Sequence, residues 1–247
     1  MATFRHGKAT QVFLNQYNLS SYLNSAGTNI SVDTGETTTF GSTAKTYIVG
    51  LKDATVTAEG LFEAVSTDGV DVALNASINN SNDDVFTIAP EGITVVGRRA
   101  QIAFVEDTNY EVSGTVGDVV AIKAQFQTDG GLDSGVVLAG ATAVTTATTT
   151  NGTAVDNTAL TSNGGSANLH VTANSWTGTT TFKLQSSVDN VTFADLTPAF
   201  TTVTASTLAS ERIIIAAGTT VNRYVRAVAT TAAGTGSITY TIAFARR

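Results

Sequence analysis

The chain has 247 residues, enough for one or two domains with a real core, and its 42% hydrophobic, 13% charged composition excludes disorder. A formal net charge of −7, with 13 Lys and Arg against 20 acids, excludes a surface built to grip nucleic acid. With no cysteine and two histidines, disulfides and thiolate metal sites are excluded too, and the abundance of Thr, Val, Ala and Ser predicts a mainly β chain. A surface this poor in charge does little to prevent self-association.

Residues 10–14 read as a first strand, 15–22 as turn-forming residues, and 23–27 as a short connection. Residues 29–33 alternate, with Ile30 and Val32 on one face. Residues 37–47 are polar and Thr-rich around Phe40-Gly41, the pattern of an extended loop or a long hairpin. Residues 53–62 alternate again, Ala54, Val56 and Ala58 against Thr55, Thr57 and Glu59, with Gly60 marking a bulge or a close approach. A helix is predicted over 67–78. Thr67 or Asp68 would be its N-cap, and Val70, Ala73, Leu74 and Ile78 its apolar face.

Further strands are expected at 85–89, 93–97, 99–106, 111–115 and 119–127. Residues 130–135 form a Gly-rich break, and residues 141–165 a low-complexity stretch that reads as a linker or as flexible strands. A domain boundary is placed there, giving domains 1–135 and 136–247. The second holds short strands divided by turns, as in a sandwich: 167–173, 180–186, 191–196, 200–203, 212–216, 223–230 and 237–244. In the last, Ile238, Tyr240, Ile242 and Phe244 share one side. Residues 1–18 contain no apolar run of the signal-peptide kind, and no stretch reaches the roughly 18 apolar residues of a membrane-spanning helix.

Little of this points to chemistry. His6 and His170 are too far apart in sequence to form a recognised metal motif, and read as ordinary surface or strand histidines. No phosphate loop and no Gly-x-Ser-x-Gly elbow occur, and the acidic clusters near Asp68, Asp83 and Asp129 lack calcium-loop spacing. No catalytic residue, metal ligand or cofactor is assigned, and the chain is not expected to be an enzyme. Trp176, beside a likely turn Gly178, is either an exposed recognition residue or a lid on the sandwich edge.

The phrase from Glu36 to Gly60, with Thr38, Phe40, Gly41, Lys45, Tyr47, Gly50, Leu51, Lys52 and Asp53, resembles the signature of tail tube (major tail) proteins of long-tailed bacteriophages. The resemblance implies an N-terminal tail-tube-like β-sandwich or barrel with one flanking α-helix, followed by a C-terminal Ig-like β-sandwich projecting outwards. It implies a structural virion protein, made in the host cytoplasm, whose hexameric rings stack around a channel through which DNA passes without specific binding. Its partners would be further copies of itself and tail proteins such as a tape measure or terminator protein, with no membrane insertion. Residues 34–52 would form a ring-to-ring loop, or else a hairpin packed on its own domain. In the first case Phe40 and Tyr47 would anchor the loop, with Gly41, Leu51 and Asp53 beside them, and Lys45 and Lys52 would meet acids on the next ring. The rival functions are a phage head decoration protein and a carbohydrate-binding or adhesin module resting on Trp176.

Overall fold

Alternating β-branched residues dictate strands, and strands dominate. The computed structural model describes residues 6–63 and 69–247. A 3-10 turn at Gly7–Ala9 precedes β1 (Gln11–Leu14), β2 (Tyr17–Asn18), β3 (Leu23–Glu36) and β4 (Tyr47–Leu61). Helix α1 (Val70–Ile78) follows, then β5 (Asp84–Ala89), β6 (Arg99–Ser113) and β7 (Ala121–Val144). The remainder comprises β8 (Thr149–Asn151), β9 (Val155–Asp156), β10 (Gly165–Asn174), β11 (Thr180–Ser187), β12 (Ala194–Asp195), β13 (Ala209–Ile215), β14 (Tyr224–Thr231) and β15 (Ile238–Arg246). The fold is mainly β, with α1 the one α-helix among the described residues.

Two compact units are present. One is Tyr22–Asp83 with Phe104–Leu132; the other is the chain up to Ser21, Asp84–Ala103 and Asp133–Arg247. They interleave along the chain, where the sequence predicts one division at residue 135. The reason is strand length. The predicted strands at 99–106 and 111–115 are one continuous β6, and β7 runs for 24 residues. Each strand starts in one unit and ends in the other. Gly130 and Gly131 do adopt positive φ (71° and 83°), which only glycine takes without strain, but they lie inside β7 and do not end it.

In the unit containing β3 and β4, the sheet order is β3-β4-β7-β6. Ala54, Val56 and Ala58 are buried while Thr55 and Thr57 are exposed, the alternation read from sequence. Val56 pairs with Phe126 and Ala58 with Ala124 across the antiparallel β4–β7 ladder, and these four share the buried face. Gly60 is a close approach: a Cβ there would stand 2.2 Å from the Tyr22 carbonyl oxygen. Helix α1 buries Val70, Ala73, Leu74 and Ser77, and Tyr110 of β6 donates to Asp71 of α1 at 2.6 Å. Ile78, expected on the buried face, is exposed. At 100° per residue, position 77 lies closer than 78 to the centre of the stripe set by 70, 73 and 74. Gly69 occupies the N-cap; the expected caps Thr67 and Asp68 lie outside the described residues.

The other unit is built on a sheet ordered β13-β10-β15-β7-β6-β5-β1-β2, and on a second sheet ordered β12-β11-β14-β8 with β9 also on β14. Leu138, Leu169, Phe182, Leu184, Val225, Ala227 and Ile242 fill one core drawn from both sheets, which makes this part a sandwich. Ile238, Tyr240, Ile242 and Phe244 all enter that core, as their alternation predicts. Strand β10 is buried on both faces. Ala167, Leu169 and Val171 point into the sandwich, while Ser166, Asn168 and His170 point the other way. That side is covered by β1 and β5, and Phe13, Ala89, Ile102, Val137, Ala243 and Ala245 pack into a second cluster.

Two expected strands are absent and a third is shortened. Residues 93–97 form bends between the positive-φ glycines 92 and 97, with Ile93 buried in the second cluster. Residues 191–196 shrink to β12, and residues 200–203 leave one isolated bridge, Thr180 to Val203. The side chains Leu196, Phe200 and Val203 still reach the core. Apolar content marked their burial correctly; the backbone there bonds to β11 only at intervals, Leu196 to Leu184, Phe200 to Phe182 and Val203 to Thr180, and so forms no continuous ladder.

Candidate assembly surface

Beyond Thr55, β4 leaves β7 and pairs with β3 alone, from Ile30↔Ala54 to Glu36↔Tyr47. The result is a two-stranded ribbon. From Ile30 to Glu36 the six rises of about 3.3 Å along β3 make it roughly 20 Å long. Every residue from 29 to 53 is exposed. The register slips between Val32 and Thr34, opposite Gly50, where a Cβ would come within 3.0 Å of Asp33 Cβ. That bulge lets the strands keep pairing beyond it.

The exposed ribbon is apolar in an ordered way. Paired antiparallel residues share a face, and alternate residues of a strand share it too. Ile30, Val32, Tyr47 and Val49 therefore lie on the same face as Ala54, Val56 and Ala58. The stripe that is core within the unit continues outward onto open ribbon. Ile48 and Leu51 are also exposed, and Phe40 at the tip is fully so. Isolated two-stranded ribbons are marginal in water, and contiguous exposed apolar surface marks an interaction site.

The site residues named from sequence fall together here. Phe40 and Gly41 are in the turn, Lys45 just before its return strand, and Tyr47, Leu51, Lys52 and Asp53 along that strand. Lys45 is held by Glu36 across the ribbon at 3.1 Å, so its charge is already answered within the hairpin. Asp53 accepts from the Ala54 backbone N–H at 2.8 Å and from the Gln127 amide, fixing the ribbon's root to β7. Thr128 supports the same point, donating to the Ala54 carbonyl at 3.0 Å. Ile48 and Val49 were not singled out from sequence; their alternation is broken by the bulge at Gly50.

Trp176 is elsewhere and is not a surface residue. It is buried in the sandwich core, and its indole N–H donates to the Ala232 carbonyl at 3.2 Å. The lid, not the exposed recognition residue, is what the fold builds, because the flanking turn folds the ring inward against residues of both sheets. No ring face is left for a sugar to stack on.

A second polar concentration is interior. His170 Nδ1 lies 2.6 Å from the Asn15 carbonyl oxygen, so Nδ1 carries the proton. Nε2 then accepts from Thr87 Oγ1 at 2.7 Å, and Thr87 accepts from Asn168 at 3.1 Å. Arg212 donates to Asn168 Oδ1 at 2.8 Å and to Asp133 at 2.6 Å. Burial pushes the His170 pKa down to about 4, with the Asn15 contact opposing. Burial alone would raise the Asp133 carboxyl, but hydrogen bonds from Arg247 and Ser166 and the Arg212 charge hold it below the usual value. His170 is thus a core histidine, stacked on Phe13 at 5.3 Å between ring centroids. The network ties β1, β5, β7, β10 and β13 together. Among the described residues, no group of three or more His, Asp or Glu is placed to hold a metal, and no helix is long and apolar enough to cross a membrane.

No protein-family model matches the chain, and no curated protein matches it. Solved structures do. A chain in the virion of a native gene transfer agent particle is 13% identical, with a TM-score of 0.44, over 53% of this chain and 98% of that one. The SPP1 tail tube is 14% identical, TM-score 0.44, over 52% and 77%. The SPP1 Dit protein, described as a hub adsorption apparatus of phages that infect Gram-positive hosts, is 14% identical, TM-score 0.38, over 95% and 97%. Scores at this level assign neither family nor function.

Proposed function

We propose that this chain is a structural subunit of a phage-type tail tube, assembling with copies of itself into hexameric rings that stack around a channel for DNA. The observation that carries this is the ribbon: a core-face apolar stripe that continues onto strands exposed on both sides. Such a stripe is stable in the long term only when another molecule covers it. Among the described residues strand β3 pairs with β4 alone, and a neighbouring copy pairing along its other edge would remove the hazard of an open sheet. The phrase from Glu36 to Gly60, which resembles the tail tube signature, is this same ribbon. The acidic balance of the chain gives passing phosphates no counter-charge to hold them. Segment 136–247 would face outward, and tape measure or terminator proteins would meet the tube's ends. The carbohydrate-binding alternative has lost its platform, since Trp176 is in the core.

The test is negative-stain microscopy of purified protein beside a variant in which residues 34–52 are replaced by a two-residue turn. The expected result is tubes from the intact chain and folded, unassembled subunits from the variant. An intact chain that stays monomeric at high concentration overturns the function, and a shortened chain that still makes tubes overturns the role of the ribbon.

A further inference from the structure

Ile78 of α1 apart, the large exposed apolar side chains of the unit containing the ribbon gather at two places. One is the ribbon itself. The other comprises Leu61, Val112, Val116, Val119 and Val120. These flank the turn between β6 and β7, which is closed by the Asp118 N–H on the Thr115 carbonyl at 3.0 Å. Leu61 pairs with Ala121, and the Phe62 N–H donates to the Val120 carbonyl at 3.0 Å, so the valine turn and the end of β4 form one patch. Val116 is fully exposed, and Val119 is mostly so.

The register fixes where this patch lies. Strand β4 begins at the ribbon with Tyr47 and ends at Leu61 beside the valine turn. The two apolar patches therefore stand at opposite ends of one sheet. We propose that the valine turn is the acceptor for the ribbon of a second copy, so that the joint between copies is head to tail: Phe40 and its neighbours of one subunit on Leu61, Val116 and Val119 of the next. This rests on the tube reading and adds the partner surface to it.

Three features favour a second copy as the occupant. The patches differ from each other and sit at opposite ends, which makes the contact heterologous and open-ended, as a stacking subunit requires. The exposed stretch from 29 to 53 matches the roughly 20–30 residues that one side of a standard interface uses. Charges also complement. Lys52, on the ribbon, has no ion pair among the described residues, and at the far end Glu111 and Asp118 carry carboxylates with no ion pair there either.

Mixing two full-length variants tests this. Phe40→Ser disables the ribbon and keeps the acceptor; Val116→Asp does the reverse. Both sites are exposed, so circular dichroism melts should match the parent, and Val119→Asp repeats the acceptor arm independently. Each variant alone should raise the critical concentration for assembly at least about thirtyfold, the scale of a lost interface anchor. Rings of the two variants, mixed in equal amounts, should pair one on one by analytical ultracentrifugation, the intact ribbons of one on the intact acceptors of the other, with no longer species. Acceptor variants that polymerise like the parent, or a mixture that shows no species larger than either variant forms alone, overturn the proposal while leaving the tube reading standing. A parent chain that never assembles overturns the tube reading itself.

Discussion

Acidification from neutral pH should weaken the unit that holds His170. In the fold burial pushes its pKa to about 4, against an ordinary value of 6.5, and Nε2 is an acceptor for Thr87. A proton on Nε2 would set two donors against each other and break the run of bonds from Arg212 through Asn168 and Thr87. The unfolded chain takes up the proton first, so the stabilisation is complete above about pH 6.5 and is lost progressively down to about pH 4. That shift corresponds to about 3 kcal/mol at most; roughly 1 kcal/mol should be gone at ~pH 5.5 and roughly 2–3 kcal/mol at ~pH 4.5. The assay is urea unfolding at those pH values and at ~pH 7.5, followed by tryptophan fluorescence. The chain has a single tryptophan, and it lies in the core of the same unit, so the signal reports that unit. His170→Gln should be less stable at neutral pH, with a flat profile across this window. Parallel profiles for the parent and the variant would refute the assignment of this pH dependence to His170.

Other outcomes follow from the same packing. Arg212→Leu leaves Asp133 buried with Ser166 and the more exposed Arg247, and should cost about 3–5 kcal/mol in urea unfolding; Asp156→Ala, at an exposed pair with Arg223, should leave the midpoint unmoved. Gly60→Ala drives a methyl into the Tyr22 carbonyl and should cost about 1–3 kcal/mol, whereas Gly41→Ala, with open space around it, should melt like the parent. Trp176→Ala should lower stability by about 3–5 kcal/mol and leave assembly intact at low temperature, checked by sedimentation; loss of assembly with an unchanged melt would show that the residue has a surface role after all.

Local patterns carried most of the strands. Residues 53–62 and 237–244 alternate because one face of each meets a core, and their buried sets were readable residue by residue. Strand β10 was harder, since both faces are covered and polar Asn168 and His170 are as buried as Leu169. Gly130-Gly131 read as a boundary because positive φ usually ends a strand; here the strand continues beyond it. The ribbon was located from its motif, but its apolar stripe was obscured by the bulge at Gly50 and by abundant threonine. The acceptor patch was invisible for a different reason. Leu61 and Val116 are brought together only by the β4–β7 register. The same holds for Arg212 and Asp133, whose partnership spans 79 positions. Sequence spacing has no term for contacts of that kind.

The rolled side of β10 also sets an order of events. The β1 strand leaves the ribosome long before its ring partner His170 and its cluster mates Ala243 and Ala245. Phe13 must therefore wait, solvent-bound, until β10 and β15 have been made, and a chain that stops before β15 lacks the residues that close its interior.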